Sequence, residues 1–340
     1  MLLIVDKTTN PYWNLSAEEY LLTKVKEPVF RLWQNENAII VGRNQNAIAE
    51  INTKFVEENN IKVVRRLTGG GAVFHDMGNL NYTFIENKVA SENTDQMFQR
   101  FTSPIIEALN NIGVKAYLHG RNDLLIDGRK FSGNAICINN NRILQHGTLL
   151  FNSSINNLSG ALKTRAEKFI GKAVQSNRSR VTNISEHLTA QMDIAQFRDY
   201  LKNYISSKAD NFTLYEYTKE DIDAIDILCK EKYSTYEWNF GHSPKYGFEK
   251  VVKFTGGIVE LSMEVKDGAI SKLNIMGDYF FTKPTDEFCA RMIGVKHTAK
   301  DIYNTLEEID RCEKKACNPL GLQAYFSNIL LGEIASIFFS

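Results

Sequence analysis

The run Arg65-Arg66-Leu67-Thr68-Gly69-Gly70-Gly71-Ala72-Val73-Phe74-His75-Asp76 sets two cations and a hydroxyl directly before three glycines. Without a Cβ, glycine lets the backbone turn sharply and bring successive N–H groups close to a ligand. Such N–H groups beside guanidinium groups form a receptor for phosphate. The run lacks the Gly-Lys-Ser/Thr ending of a P-loop and the spacing of a dinucleotide fingerprint. A tight turn between two strands is the structural alternative.

Further segments carry groups of matching chemistry. In Gly120-Arg121-Asn122-Asp123-Leu124, Asp123 could hold Mg²⁺ together with phosphate oxygens, or cap a turn. In Asp127-Gly128-Arg129-Lys130-Phe131-Ser132-Gly133-Asn134-Ala135, a hairpin turn delivers Lys130 to the start of a returning strand. Lys130 could be a solvated strand end, or could neutralise charge in an adenylation transition state. His146-Gly147-Thr148 brings an imidazole into an otherwise apolar strand. The stretch 171–183, with Lys172, Arg178 and Arg180, is a loop that could close over a charged ligand, or simply be solvated.

Short strands must position these groups. Apolar runs predict strands at 2–5, 29–33, 38–42, 63–66 and 80–85, and a strand pair at 135–138 and 148–151. Helices are predicted from Asn14 as a cap, over 52–60, and over 94–109 with Gly113 beyond its end. Further helical segments lie near 194–208 and 220–233. After a change of composition at Gly241-His242-Ser243-Pro244, a new set begins: strands within 251–265 and 269–275, then helices over 285–293, 298–310 and 319–335. This pattern predicts an α+β protein on mixed or antiparallel sheet. It divides into a unit of residues 1–245 and a small α+β unit of residues 246–340.

The 340 residues exceed what one hydrophobic core usually serves. Forty Lys plus Arg balance forty Asp plus Glu, which gives no support to a nucleic-acid binder. No signal peptide or membrane-spanning run is read, so a cytoplasmic protein is expected. Five scattered cysteines, Cys137, Cys229, Cys289, Cys312 and Cys317, do not form a disulfide framework and are expected to be buried free thiols.

Taken in order, the motifs resemble the lipoate–protein ligase family. The matching pieces are Arg65-Arg66 through Gly78-Asn79, Gly120 to Asp123, Asp127 to Lys130 with Ser132-Gly133, His146 to Leu150, Ser179-Arg180-Val181-Thr182-Asn183, and Trp238-Asn239-Phe240-Gly241 with Ser243-Pro244. The resemblance implies the catalytic fold shared by biotin and lipoate ligases, followed by an accessory C-terminal domain. It implies activation of lipoate by ATP and Mg²⁺ to lipoyl-AMP with release of pyrophosphate. Transfer then follows to a specific lysine of lipoyl acceptor domains, in E2 subunits of 2-oxoacid dehydrogenases or in glycine cleavage H protein. Carried onto this chain, ATP contacts fall on Arg66, Gly71, Ala72, Val73, Phe74 and Lys130. Lys130 is also the lipoate contact and catalytic group, Asp123 helps hold the metal, and His146 and Arg180 complete the binding set. Candidate walls for the lipoyl tail are Trp33, Leu67, Val73 and the helix that carries Ala17. A monomer is expected. Competing readings are a lipoyl or octanoyl transferase using Cys137 as nucleophile, a biotin ligase, and an inactive lipoate-binding protein.

Overall fold

The computed structural model describes residues 1–340 apart from 46, 155–161, 163–180, 209–210, 241–247, 267, 317 and 339–340. The chain opens with β1 (Leu2–Val5), α1 (Pro11–Lys24), β2 (Val29–Trp33) and β3 (Ala38–Val41). Next come α2 (Ala47–Glu50), α3 (Thr53–Glu58), β4 (Lys62–Arg65), β5 (Val73–His75), β6 (Asn79–Asn87) and α4 (Thr94–Asn111). Then follow β7 (Ala116–His119), β8 (Asp123–Ile126), β9 (Arg129–Asn139), β10 (Arg142–Leu150), α5 (Ile194–Ser207), β11 (Thr213–Leu214), α6 (Lys219–Leu228) and α7 (Tyr236–Phe240). The C-terminal unit holds β12 (Phe248–Phe254), β13 (Gly257–Lys266), β14 (Ala269–Gly277), α8 (Thr285–Met292), α9 (Ala299–Lys315) and α10 (Leu331–Ser336).

The molecule is an α+β fold. Among the described residues its main sheet has eight strands in the order β11-β1-β2-β6-β10-β9-β8-β7. Strand β1 runs parallel to β2 and β11, and the other pairings are antiparallel. Side chains alternate across the sheet, so β2 sends Phe30 and Leu32 to one face and Arg31 and Trp33 to the other. On the first face, Phe30, Leu32, Tyr82 and Phe84 meet Met97, Phe98, Phe101 and Ile105 of α4 and Phe197 and Leu201 of α5. Helix α4 begins with a reciprocal capping box between Asn93 and Gln96. On the second face lies a three-stranded sheet, β4-β3-β5, joined to the main sheet through Leu15, Trp33, Ile40 and Val64.

The C-terminal unit has its own core, formed where β12–β14 are covered by α8 and α9 through Val259, Leu261, Phe288, Ile302 and Leu306. It also docks on the first unit. Phe280 enters the first unit's core beside Phe98, ring centroids 5.5 Å apart, and the Gly277 N–H donates to the Asn44 carbonyl at 2.7 Å. The boundary expected near residue 245 falls outside the described residues.

Four local expectations are corrected. Helix α1 is capped by Asn10, whose side chain accepts from the Tyr12 N–H at 3.2 Å, and Pro11 takes the first helical position. Asn14 is instead buried inside that helix as a hydrogen-bonding group. The single helix expected over 319–335 is broken into a short 3₁₀ turn, Gly321–Ala324, and α10, with Asn328 between them at φ 60°. Leu67 packs in a separate cluster with Leu21 and Leu22 and does not wall the cavity described below. Finally, the cysteines are not all buried: Cys137 is, Cys229 and Cys289 are half-buried, and Cys312 is exposed.

Candidate functional site

A cavity of about 370 Å³ lies between the second face of the main sheet and the β4-β3-β5 sheet. Strand register decides which residues reach it. Trp33 pairs with Asn81 and Asn81 with Thr148, while Thr83 pairs with His146 and His146 with Ala135. These residues therefore share one face, and most of them line the cavity. On the opposite wall β5 alternates: Val73 and His75 face the cavity, whereas the Phe74 side chain packs in a cluster with Ile39, Val41 and Ala47. Phe74 itself is not among the residues that line the cavity.

The glycines divide their work. Gly70 has φ +87°, a conformation that favours glycine. A Cβ on Gly69 would stand 2.5 Å from the Tyr279 carbonyl oxygen, so the C-terminal unit needs that glycine to approach. Among the described residues Gly71 has nothing within 4 Å of its Cβ position, and it lines the cavity, which leaves that side of its backbone open to a ligand.

Both arginines are buried and hold this loop. Arg66 Nε donates to Thr68 Oγ1 at 2.8 Å, Nη1 to the Ile40 carbonyl at 3.1 Å, and Nη2 to the carbonyls of Gly69 and Gly71 at 2.6 and 2.9 Å. Burial lowers its pKa to about 10, so it stays charged at neutral pH. Arg65 donates to the carbonyls of Gly42, Arg43 and Gln45 and to those of Trp238 and Asn239. It ties α7 to the strand that feeds the loop. Arg66 thus brings a positive charge to the cavity while spending most of its N–H donors on the loop's own carbonyls.

His146 serves the same loop from the other side. Its Nδ1 lies 2.9 Å from Glu18 Oε2 and its Nε2 lies 2.8 Å from Thr68 Oγ1. Glu18 also accepts from the Thr83 hydroxyl at 2.6 Å, and Thr83 accepts from Trp33 Nε1 at 2.8 Å. Burial would raise the Glu18 carboxyl, but His146, Arg31 and Thr83 outweigh it and hold the pKa below the usual value. With both ring nitrogens engaged, His146 positions Thr68 and the loop. The partners Glu18, Thr68 and Thr83 have no motif spacing to His146; sheet pairing brings Thr83 to it, and the packing of α1 and of the glycine loop on the sheet brings Glu18 and Thr68.

Lys130 and Asp123 face each other across the β8–β9 hairpin. Lys130 Nζ lies 2.7 Å from Asp123 Oδ1, both side chains are part-exposed, and both line the cavity. The hairpin turns through Asp127 at φ 49° and Gly128 at φ 75°. The Thr182 N–H donates to the Lys130 carbonyl at 3.0 Å, so the chain returning from the expected lid rejoins the fold at the lysine. Arg180 and the rest of 171–180 lie outside the described residues. For a metal, one carboxylate with substrate phosphates matches Mg²⁺, which keeps several waters; Asp123 fits that donor set. No group of three or more metal-ligating side chains occurs among the described residues.

The C-terminal unit completes the walls, which the sequence did not reveal. Lys253, Thr255, Asp278 and Phe280 line the cavity. Arg121 Nη1 donates to the Gly256 carbonyl at 3.0 Å, and its guanidinium sits 4.1 Å from the Phe280 ring centroid. The Cys137 thiol does not line the cavity; it is buried against Ile4, Leu21 and Leu144, and burial pushes its pKa up to about 12.

Comparison with known proteins finds matches for both parts of the chain. The family model for the lipoyl protein ligase A/B catalytic domain matches residues 10–206, and that for the bacterial lipoate protein ligase C-terminus matches 243–338. The chain is 40% identical over 334 residues to lipoate-protein ligase LplJ of Bacillus subtilis, covering 97% of each. It is 40% identical over 307 residues to lipoate–protein ligase 1 of Staphylococcus aureus, covering 90% of this chain and 93% of that protein. Among solved structures, P. falciparum LipL1 in complex with lipoate aligns with a TM-score of 0.75 at 25% identity, over 95% of this chain and 99% of that one. Lipoate-protein ligase A bound with ATP aligns with a TM-score of 0.62 at 26% identity, over 71% of this chain and 98% of that one. With both of its domains matched in order, the chain belongs to the lipoate–protein ligase family.

Proposed function

We propose that this protein activates lipoate with ATP and transfers the lipoyl group to a lysine of a lipoyl acceptor domain. One observation carries the reading: the Lys130–Asp123 pair opens onto the cavity that Gly71, Arg66, Trp33 and Val73 also line. A phosphate-compatible loop, a cation and an apolar wall thus meet in one space. That combination suits a substrate with a carboxylate on an apolar tail. Relatives described as bound to lipoate and to ATP share the fold.

In the first step a lipoate carboxylate oxygen attacks the α-phosphorus of ATP. The bond from that phosphorus to the bridging oxygen breaks, and pyrophosphate leaves. The open N–H groups around Gly71 orient phosphate, and the Arg66 charge beneath them favours the anion. Lys130 neutralises charge on the attacking carboxylate and the new mixed anhydride. Mg²⁺, held by Asp123, would supply charge neutralisation at the phosphate oxygens. In the second step the neutral acceptor amine attacks the acyl carbonyl, AMP leaves with the bridging oxygen, and the nitrogen gives its proton to water. Lys130 polarises that carbonyl. No enzyme nucleophile is required, which agrees with the withdrawn position of Cys137 and disfavours a transferase built on that thiol.

E2 lipoyl domains and glycine cleavage H protein are the acceptors this reading names. We place the protein in the cytoplasm as a monomer, where its free cysteines would stay reduced. Incubation with ATP, Mg²⁺, lipoate and an unmodified lipoyl domain should yield a lipoylated lysine, read by intact-mass spectrometry. An acceptor left unmodified by folded enzyme would refute the transfer step.

A further inference from the structure

His75 is a buried donor whose tautomer the fold dictates. The Asn14 side-chain NH₂ shares its two hydrogens among three acceptors, the Thr8 and Gln34 carbonyls at 3.2 and 2.8 Å and Asn35 Oδ1 at 2.9 Å. Arg31 Nη2 donates to Asn14 Oδ1 at 3.0 Å, and the buried Asp6 carboxylate pairs with Arg31. These contacts fix the orientation of both amides. The Asn35 NH₂ must then point at His75, and it meets Nδ1 at 3.0 Å. Nδ1 is therefore the acceptor, and the ring proton sits on Nε2. Burial lowers the His75 pKa to about 3, so the ring is neutral with one N–H.

Among the described residues that N–H has no acceptor. His75 is 3% exposed, and Nε2 is out of reach of solvent and of any protein partner among the described residues. Buried donors are rarely left unmatched, and each carries a penalty that a ligand can relieve. The residue lines the cavity beside Trp33, with ring centroids 6.1 Å apart.

Strand order places this donor along the substrate. Lys130 is on β9 and Trp33 on β2, with β10 and β6 between them. The Lys130 ammonium lies 3.1 Å from the Cβ position of Gly133, which is level with Thr148, Asn81 and Trp33 across β10 and β6; three inter-strand steps of about 4.8 Å then separate ammonium and Trp33 backbone, roughly 14 Å in all. An eight-carbon acid with C–C bonds of about 1.5 Å extends roughly 9–10 Å. A carboxylate at the Lys130 ammonium, itself at the end of a long side chain, puts the far end of the acid beside Trp33 and His75. The walls there are closely packed, Leu15, Ile40 and Trp33 each being no more than 2% exposed. A tail that reaches Nε2 has to part these walls.

We propose that His75 is a specificity-determining residue that reads the sulfur end of the acid: its Nε2–H donates to a dithiolane sulfur and favours lipoate over sulfur-free acids of similar shape. This rests on the function proposed above. Sulfur is a weak acceptor, but a site with a buried donor disfavours an analogue that leaves the donor unmatched. Asn35 and Asn14 are positioning residues that keep the proton on Nε2.

The test is calorimetric binding, without ATP, of lipoate and of 5-cyclopentylpentanoate, which keeps the ring and loses the sulfurs. Wild type should bind lipoate about tenfold more tightly than the cyclopentyl acid. His75→Phe should bind the two equally, and His75→Gln, whose amide can offer an N–H near the same place, should keep part of the preference. Equal binding by wild type, or an undiminished preference in folded His75→Phe, overturns the proposal. Should His75→Phe not fold, the wild-type ratio and His75→Gln still decide. Selective binding without any adenylation would overturn the proposed function and leave this inference standing. Binding of neither acid would overturn both.

Discussion

Replacing Lys130 with alanine separates catalysis from stability. Lys130 and Asp123 are 2.7 Å apart, but their side chains are 39% and 37% exposed. A pair so accessible to water contributes at most about 1 kcal/mol to folding. The expected fall in Tm is therefore no more than about 2–4 °C. The catalytic effect should be larger. Removing a preorganised group that stabilises developing charge costs about 10²–10³ in rate, or roughly 3–4 kcal/mol at 1.36 kcal/mol per decade. The assay is kcat/KM for pyrophosphate release with lipoate, beside a thermal melt. Lys130→Arg keeps the charge on a different geometry and should fall between alanine and wild type. Near-normal turnover in Lys130→Ala would refute the argument. So would a loss of stability large enough to explain the lost activity.

The two inner glycines should fail differently. Gly71→Ala should fold like wild type and raise the KM for ATP, because its Cβ points into open cavity; Gly70→Ala should lower Tm, because φ is +87°. Kinetics and melts on the pair check this. Cys137→Ser should keep most of its activity, since the thiol is buried away from the cavity; loss of acyl transfer in a stable variant would revive the thiol mechanism. Stability should fall with acid through His75. Its folded pKa, about 3, lies below the ordinary 6.5, so between those values the unfolded chain holds the extra proton. The stabilisation is complete above pH 6.5 and declines below it, with a slope approaching about 1.4 kcal/mol per pH unit from this group. Denaturant titrations of wild type and His75→Phe between pH 4 and 8 should differ by that slope.

The Asp127-Gly128 turn and the alternation of strands such as Leu80 to Ile85 are local signals, and each produced the element it indicated; the glycine run forms the link between β4 and β5. Lys130 and Asp123 were legible because a short hairpin joins them. His75 stood inside the quoted motif, yet its importance rests on Asn14 and Asn35, which become neighbours only after α1 packs on β2. Asn14 itself has the chemistry of a helix cap, and the sequence alone could not tell that Asn10 and Pro11 already supplied the start. Leu67, a candidate tunnel wall next to the glycines, lies in the bend after β4 and packs with Leu21 and Leu22 instead. Lys253, Asp278 and Phe280 reach the cavity through docking of the second unit, which no local pattern encodes. Likewise, Arg66 resembled a free phosphate ligand until its hydrogen bonds to the Gly69 and Gly71 carbonyls were in view.

The most direct test of the central claim is lipoate-dependent exchange of labelled pyrophosphate into ATP by the purified protein with Mg²⁺. Adenylation at the Lys130 site predicts exchange that requires lipoate and is nearly abolished in Lys130→Ala. Absence of exchange in folded wild-type protein would contradict adenylation; exchange that persists in Lys130→Ala would contradict the assigned site.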